Sequence, residues 1–163
     1  RLLWKHPPTT ALLSITTSLA LLTVGLRDYL YFDGHYAYPT SWLPGAVKMV
    51  VQAGNELQHE AYSFGGGHGK ETEYKGFDCS GAVSYVLMRA GLLAQPLTSK
   101  DFAGYGASGP GQWVSLYVKP GEHVFMAVCG LRFDTSGSGS DGPRWRPDPR
   151  DPRGFQIRHP MGL

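Results

Sequence analysis

The most constraining feature of this chain is the segment from Ser80 to Ala90, which is typical of a helix with one apolar side. Its apolar residues recur at helical spacing: Ala82, Val83, Val86, Leu87 and Ala90. Gly91 is a typical residue for ending a helix, and Asp78 and Ser80 are residue types that cap a first turn. An apolar stripe of this kind has to be buried against other elements. The prediction therefore places Cys79 at the amino end of a packed helix.

The position of Cys79 favours a reactive thiol. A free cysteine is only slightly ionised at neutral pH, and the thiolate is the species that attacks. The amino terminus of a helix carries a partial positive charge, which lowers the pKa of a thiol placed there. A single cysteine at a helix start is nevertheless more often structural than catalytic. The interpretation therefore depends on a base and on a group that orients the base.

A β-hairpin further along the chain supplies both groups. His123 to Val128 and Leu131 to Thr135 are predicted strands, joined by a two-residue turn at Cys129-Gly130. In this register, strand alternation divides the hairpin into two faces. One face is wholly apolar and carries Val124, Met126, Val128, Leu131 and Phe133. The other carries His123, Phe125, Asp134 and Ser136. A shift of one residue in the register would exchange the two faces.

On the second face, His123 and Asp134 are diagonal neighbours, about 7–8 Å apart at the backbone and within reach of each other's side chains. A carboxylate can hold the tautomer of a catalytic histidine and stabilise its charged form. Ser136 is the alternative orienting group. A lone histidine on a strand is usually a half-buried ring, but here a thiol, a base and an orienting group are predicted independently. Cys79, His123 and Asp134 are therefore the candidate catalytic residues.

The remaining elements are predicted from periodicity and turn residues. Gly45 to Glu60 has the pattern of a helix, and Gln112 to Val118 and Phe155 to Arg158 have the composition of strands. A glycine-rich turn from Phe64 to Gly69 lacks the spacing of a phosphate-binding loop. Residues 137–154 are rich in Gly, Ser, Pro, Asp and Arg, so the sequence predicts a long loop there.

Composition indicates a single globular domain and argues against a nucleic-acid partner. The 163 residues suffice for one domain with a hydrophobic core. The formal net charge is +2, and no run of Lys and Arg is dense enough to follow a phosphate backbone. A late cluster of arginines is interrupted by Asp148 and Asp151, so it is predicted to be a solvated tail. Its members are Arg144, Arg146, Arg150, Arg153 and Arg158.

The second cysteine and the other histidines do not extend the candidate site. Two cysteines could form one bridge, Cys79 to Cys129, or remain two free thiols. In the predicted register Cys129 lies about 20 Å from His123, which favours packing over a redox role. The other histidines considered as metal ligands do not have the spacing of a metal site; they are His35, His59, His68 and His159. Neither a metal site nor a cofactor is predicted.

The amino-terminal segment leaves three alternatives open. Residues 7–26 carry no charge and just reach the length of about 20 residues that a bilayer requires, but seven Ser and Thr residues dilute them. An export signal or membrane anchor is favoured over a buried or surface-lying helix, and a disordered leader is the third alternative. Residues 1–45 are predicted to be this apolar leader and an aromatic linker, whose rings are expected to cover the domain at 46–163.

Four motifs in this order resemble those of the NlpC/P60 family of cell-wall cysteine peptidases. The first is a tyrosine followed by an aromatic residue and two glycines, here Tyr62, Phe64, Gly65 and Gly66. The second is Asp-Cys-Ser-Gly at the start of a helix, here Asp78 to Gly81. The third is the histidine at a strand start, His123-Val124, and the fourth is a polar residue further along, Asp134. The resemblance covers roughly residues 46–135. The closing segment, residues 130–160, is similar to that of an actinobacterial subgroup of the family.

The resemblance implies a papain-like α+β fold in which the cysteine helix packs on an antiparallel sheet. It implies that Cys79 is the nucleophile, His123 the base and Asp134 the orienting residue. It also implies that Tyr62 lines the site and helps to stabilise the oxyanion together with the Cys79 N–H. Asp78 and Ser80 would contact a free amine of the substrate, as matching residues do in some members.

The implied substrate is the stem peptide of peptidoglycan, commonly the bond between D-glutamate and the diamino acid. The implied location is the bacterial cell envelope or the secreted fraction, with membrane attachment through residues 7–26 left open. The chain departs from the family in one catalytic position, because Asp134 stands where histidine is usual. Two alternatives remain: an amidase or acyltransferase that uses the same cysteine and histidine, and an envelope-binding module with a degenerate site.

Overall fold

The structure is a computed structural model that describes residues 29–69, 75–136 and 142–163. It has a mixed α+β fold in which two α-helices accompany antiparallel sheets. The apolar segment at 7–26, on which the membrane prediction rests, lies outside the described residues. Within the described ranges, no helix is long and apolar enough to cross a membrane.

The two helices lie close to their predicted positions. Helix α1 spans Gly45–Glu56 and ends four residues before the predicted end, and helix α2 spans Cys79–Arg89. Asp78 caps α2, since its Oδ1 accepts a hydrogen bond from the backbone N–H of Gly81 at 2.7 Å. The cap explains why the helix begins at Cys79. The two helices contact each other, and α2 also contacts the sheet.

A six-stranded antiparallel sheet forms the main layer, in the order β3-β8-β4-β5-β6-β7. Its strands are β3 Ala107–Ser108, β4 Val114–Lys119, β5 His123–Val128, β6 Leu131–Asp134, β7 Arg144–Arg146 and β8 Gln156–His159. A short 3-10 helix, Asp101–Gly104, precedes β3. The strands predicted at 112–118, 123–128, 131–135 and 155–158 correspond to β4, β5, β6 and β8 with bounds that differ by two residues at most.

The predicted register of the β5–β6 hairpin is confirmed. Val128 pairs with Leu131 and Met126 with Phe133. Both turn residues have positive φ, 48° at Cys129 and 83° at Gly130. Positive φ at both central residues is the requirement of a type I′ turn, which matches the twist of the strands that it joins.

The apolar face of this hairpin forms part of the core. Its buried members are Val124, Met126, Val128 and Phe133, each at most 1% exposed. They belong to one cluster with the apolar stripe of α2, which includes Val83, Val86 and Leu87. Each side chain of this kind contributes about 1.5–3 kcal/mol when fully buried. Packing of the cysteine helix against β5 therefore sets the distance between the helix start and the first residue of β5.

The prediction of a loop throughout 137–154 is wrong, because β7 lies within that range. Arg144 pairs with Asp134 and Trp145 with Phe133 across the β6–β7 ladder. The Trp145 ring packs edge-on against Phe133 with centroids 5.0 Å apart, and its Nε1 donates to Asn55 Oδ1 at 2.8 Å. The sequence Arg-Trp-Arg shows little of the apolar alternation that predicts a strand. Strand β7 forms because it pairs with β6 and because Trp145 is buried.

The prediction of a solvated arginine tail is also wrong. Arg146 is only 8% exposed, and its Nε donates to the backbone carbonyl of Asp134. Arg144 donates to the carbonyl of Glu60, and Arg158 donates to that of Tyr105. Only Arg153 of this cluster is classed as exposed. Because arginine can bury its stem and donate to main-chain carbonyls, composition alone does not separate packed arginines from solvated ones.

Part of the predicted aromatic linker forms a second, two-stranded sheet. Strand β1 spans Leu30–Phe32 and pairs with β2, which spans Ala37–Pro39. Asn55 of α1 holds the buried Ala37 by accepting from its N–H at 2.9 Å and donating to its carbonyl at 2.8 Å. The rings of this segment cover the domain only in part. Tyr29 contacts Trp113, whereas Trp42 is 83% exposed.

Candidate active site

Cys79 is the first residue of α2 and is partly exposed. The first N–H groups of a helix have no partner within it, so the backbone around Cys79 presents donors and a partial positive charge. The thiol forms no disulfide. Its predicted position at a helix start is therefore the observed one.

His123 opens β5 and Asp134 closes β6, so the antiparallel pairing brings both to the same edge of the sheet. His123 Nε2 lies 2.9 Å from Asp134 Oδ1. The Asp134 residue is 2% exposed. The diagonal relation that the sequence predicts therefore becomes a direct hydrogen bond between the imidazole and a buried carboxylate.

The Cys79 thiol also influences the protonation of this imidazole. Burial by itself would lower the pKa of His123, but hydrogen bonds with Asp134 and with Cys79 raise it to about 9. Asp134 Oδ1 and Arg150 Nη1 both lie near Nε2 of this ring, at 2.9 Å and 3.2 Å. His123 is therefore the imidazolium form at neutral pH, placed between a sulfur and a carboxylate.

Asp134 remains ionised despite its burial. Burial raises the pKa of this carboxyl, but hydrogen bonds from His123, Arg150 and the Ser136 backbone bring it below its usual value. The Ser136 N–H donates to Oδ1 at 3.0 Å. Ser136, the alternative orienting group in the sequence, thus supports the carboxylate and does not replace it.

Arg150 completes this cluster, and the sequence assigned it to a solvated tail. Its Nη1 donates to Asp134 Oδ2 at 2.9 Å and also contacts Ser136 Oγ. Its guanidinium carbon lies 5.3 Å from the ring centre of Phe125 and 5.4 Å from that of Phe155. Two aromatic rings therefore hold the guanidinium against the carboxylate. No local pattern around Arg150 distinguishes it from its neighbours in sequence.

The glycine-rich turn is bound tightly to the start of α2. The Gly65 N–H donates to Asp78 Oδ2 at 3.0 Å, and the Asp78 N–H donates to the Gly66 carbonyl at 3.2 Å. A Cβ atom on Gly81 would lie 1.9 Å from that same carbonyl. The glycine of the Asp-Cys-Ser-Gly motif thus allows two pieces of backbone to approach each other closely.

Tyr62 lies beside this turn and is 45% exposed. Burial raises the pKa of its phenol, and the nearby charges of Cys79 and Asp78 add to the effect. The phenol is therefore protonated at neutral pH and can act as a hydrogen-bond donor.

Asp78 and Ser80 are mostly engaged by the protein itself. Ser80 is 5% exposed, and its Oγ donates to Asp78 Oδ1 at 3.1 Å. His68 joins them, with Nε2 at 3.2 Å from Asp78 Oδ1 and 3.1 Å from Ser80 Oγ. No local sequence pattern pairs His68 with these two residues, because they lie ten and twelve residues away across a turn.

Cys129 lies at the opposite end of β5 from His123. Burial raises the pKa of its thiol to about 11, and it forms no disulfide. The structure thus brings Cys79, His123 and Asp134 together and places Cys129 elsewhere. Within 29–69, 75–136 and 142–163, no group of three or more His, Cys, Asp or Glu side chains is placed to hold a metal ion.

Comparisons of the chain with protein-family models, with curated proteins and with solved structures find no match.

Proposed function

We propose that this protein is a cysteine peptidase of the NlpC/P60 type, with a papain-like fold, that hydrolyses peptide bonds in peptidoglycan stem peptides. The observation that carries the proposal is the 2.9 Å hydrogen bond between His123 and the buried Asp134 carboxylate, with Cys79 at a helix start acting on the same imidazole. A nucleophile, a base and an orienting group in that order are the requirement of thiol hydrolysis. The motifs at Tyr62, Asp78 and Cys79 support the choice of family.

In the first step Cys79 attacks as a thiolate, its proton already held by His123. A bond forms between Sγ and the carbonyl carbon of the substrate, and the carbonyl oxygen becomes an oxyanion. The Cys79 N–H and the Tyr62 hydroxyl are the donors that would stabilise that developing charge. Collapse of this intermediate breaks the C–N bond, and the imidazolium of His123 gives its proton to the leaving amine.

In the second step the neutral His123 takes a proton from water. The resulting hydroxide attacks the thioester carbonyl, the C–S bond breaks, and the thiolate and the imidazolium are restored. Asp134 keeps Nε2 as the hydrogen-bonded nitrogen throughout, so Nδ1 stays directed at the reacting atoms. Arg150 balances the charge of Asp134 and holds it in place.

The free amine of a stem peptide is the group that Asp78 and Ser80 would recognise. Asp78 Oδ1 and Ser80 Oγ already share the His68 ring. An incoming ammonium group can replace that ring, since it offers three donors to the same two oxygens. Specificity for a peptide with a free amine then follows from an acidic group that is buried against the helix start. A substrate of this kind places the protein in the cell envelope or outside the cell.

The decisive experiment compares the same substitution at the two cysteines. Purified peptidoglycan is digested with wild type, Cys79→Ser and Cys129→Ser, and the soluble fragments are weighed by mass spectrometry. We expect Cys79→Ser to lose at least about a thousandfold of the cleavage rate, whereas Cys129→Ser keeps most of it. New amine and carboxyl ends within the stem peptide identify the bond.

Four outcomes would contradict the proposal. Equal activity in Cys79→Ser excludes the thiol as nucleophile. Cleavage at the junction of the stem peptide with the sugar would identify an amidase, and transfer of the acyl group to an added amine in preference to water would identify an acyltransferase. Absence of any cleavage, with slow alkylation of Cys79, would identify a degenerate binding module.

A further inference from the structure

The two-stranded sheet of β1 and β2 exposes aromatic rings on the face that points away from the core. Tyr31 and Tyr38 stand directly opposite each other in the ladder, with ring centroids 5.9 Å apart. They are 65% and 47% exposed. The other face of the same strands carries Ala37, which is fully buried, and Phe32, which packs against the core cluster. Because neighbouring residues in a strand point to opposite faces, the two tyrosines form an outward pair.

Trp42 adds a third exposed ring close to the point at which the chain enters this sheet. The Thr40 N–H donates to the carbonyl of Tyr29 at 3.0 Å, so the turn after β2 is bonded to the residue before β1. Trp42 follows two residues later in that turn and is 83% exposed. The ammonium group of Lys48, on α1, donates to the Ser41 carbonyl at 2.7 Å. An indole and a cation therefore lie on the turn that is bonded to Tyr29.

The sequence joins this surface directly to the uncharged segment at 7–26. Two residues, Arg27 and Asp28, separate that segment from Tyr29. The three steps from residue 26 to Tyr29 span at most about 11 Å, even when the chain is fully extended. The headgroup layer on each side of a bilayer is about 5–8 Å thick. Insertion of residues 7–26 into the hydrocarbon would therefore hold Tyr29 and the turn at 40–43 at the headgroup layer.

The chemistry of the exposed side chains suits that layer. Tryptophan and tyrosine are enriched at membrane–water interfaces, because each combines an apolar ring with a polar N–H or O–H. The charged side chains between residues 27 and 48 cancel in number; they are Arg27, Lys48, Asp28 and Asp33. The Asp33 carboxylate also accepts a hydrogen bond from the Tyr38 hydroxyl at 2.9 Å. Attachment of this surface is therefore expected to depend on its rings and to vary little with salt.

We propose that Tyr31, Tyr38 and Trp42 form a lipid-interface surface, which lies in the headgroup layer of the membrane into which residues 7–26 insert. An inserted segment alone leaves a domain free to rotate above the membrane. A segment followed at once by an interfacial surface fixes which side of the domain faces the lipid. The inference rests on attachment through residues 7–26. It is independent of the proposed peptidase activity, because none of the candidate catalytic residues belongs to this surface.

Depth-dependent quenching of tryptophan fluorescence tests the surface directly. The full chain is incorporated into phosphatidylcholine vesicles that contain a lipid brominated either near the headgroup or near the end of the acyl chain. Trp42 is one of four tryptophans, so its contribution is the difference between the wild type and Trp42→Phe, which keeps an aromatic ring at this position. We expect the label near the headgroup to quench Trp42 at least about threefold more strongly than the deep label.

Removal of one tyrosine tests whether the three rings act as one surface. Tyr31→Thr removes an exposed ring and keeps a residue that favours strands. It should lower the quenching of Trp42 by the headgroup label by about a third or more, because fewer rings then hold the sheet in the layer. Met161→Ser, at an exposed methionine of the carboxy-terminal segment, is the matched control and should leave the quenching unchanged. High salt should not change the quenching of the wild type.

Flotation of the vesicles and a soluble substrate keep the separate failures apart. The inference is overturned at its anchor if the wild-type chain does not float with the vesicles. The surface itself is overturned if the chain floats but the headgroup label quenches Trp42 no more than the deep label does. Self-association of the detergent-solubilised chain that Trp42→Ser abolishes would also overturn it, by identifying a second copy as the occupant. Cleavage of a soluble stem peptide should be equal in the wild type and Tyr31→Thr, so a failure of the proposed peptidase appears in that assay alone.

Discussion

The two ends of β5 each lie beside a cysteine, and the two thiols are in opposite surroundings. At the start of the strand, His123 is influenced by Cys79, which lies at the amino terminus of α2. At the other end, Cys129 forms the turn into β6, where burial raises its pKa to about 11. The same functional group thus lies at a helix terminus at one end and in a turn where burial disfavours its charged form at the other. Local charge and solvation, and not the thiol itself, decide which cysteine can react.

Alkylation rates give the largest expected contrast between the two ends. A thiol with a pKa of about 11 is ionised to roughly one part in ten thousand at pH 7. Cys79 should therefore react with iodoacetamide at least about a hundredfold faster than Cys129. Peptide mapping of the labelled protein over time measures both rates at once. Equal rates would show that the helix terminus and the imidazole do not activate Cys79.

Asp134→Asn should have the next largest effect. Removal of the carboxylate deprives His123 of the partner that holds its tautomer, so kcat should fall about a hundredfold or more. In the wild type the imidazolium is present below pH 9 and is lost as the pH rises through about 9. The alkaline limb of the kcat profile should therefore lie near pH 9 and move to lower pH in the variant. Asp151→Asn, at an exposed aspartate, should change neither kcat nor the limb.

Arg150→Gln should have a smaller effect, through the position of Asp134. It removes the hydrogen bond to Oδ2 and the packing on Phe125 and Phe155, so we expect kcat to fall about tenfold with little change in KM. Arg153→Gln serves as the control on the same segment. A positioning role also predicts that Arg150→Lys, which keeps the charge, restores only part of the loss. Full activity in Arg150→Gln would show that Arg150 has no role in positioning Asp134.

The smallest expected effect concerns the turn end of β5. Cys129 adopts a φ of 48°, which disfavours most side chains and favours asparagine before glycine. Cys129→Asn should therefore raise the free energy of unfolding by about 0.5 kcal/mol and leave cleavage unchanged. Urea unfolding monitored by fluorescence measures the difference. A loss of stability would show that packing of this buried thiol outweighs the backbone preference.

The hairpin and the cysteine helix were predictable because their signals are local. A two-residue turn, strict alternation and a helix cap lie within a few residues of the elements that they specify. The register from Val128 and Leu131 then placed His123 and Asp134 on one face. Strand β7 and the role of Arg150 were missed for the opposite reason, since their partners lie elsewhere in the chain. An arginine in a polar segment has the same sequence pattern whether it is solvated or packed.

By itself, the sequence determined which segment becomes the cysteine helix, where the turn of the hairpin lies, and that Cys79, His123 and Asp134 are the residues to consider. Only the tertiary structure decided that His123 bonds the buried Asp134 carboxylate, that Arg150 bonds the same carboxylate, and that His68 bonds Asp78 and Ser80 beside Cys79. The reason is physical: caps and alternation act over a few residues, whereas the fields and hydrogen bonds of a site arise between segments that are brought together only when the core packs.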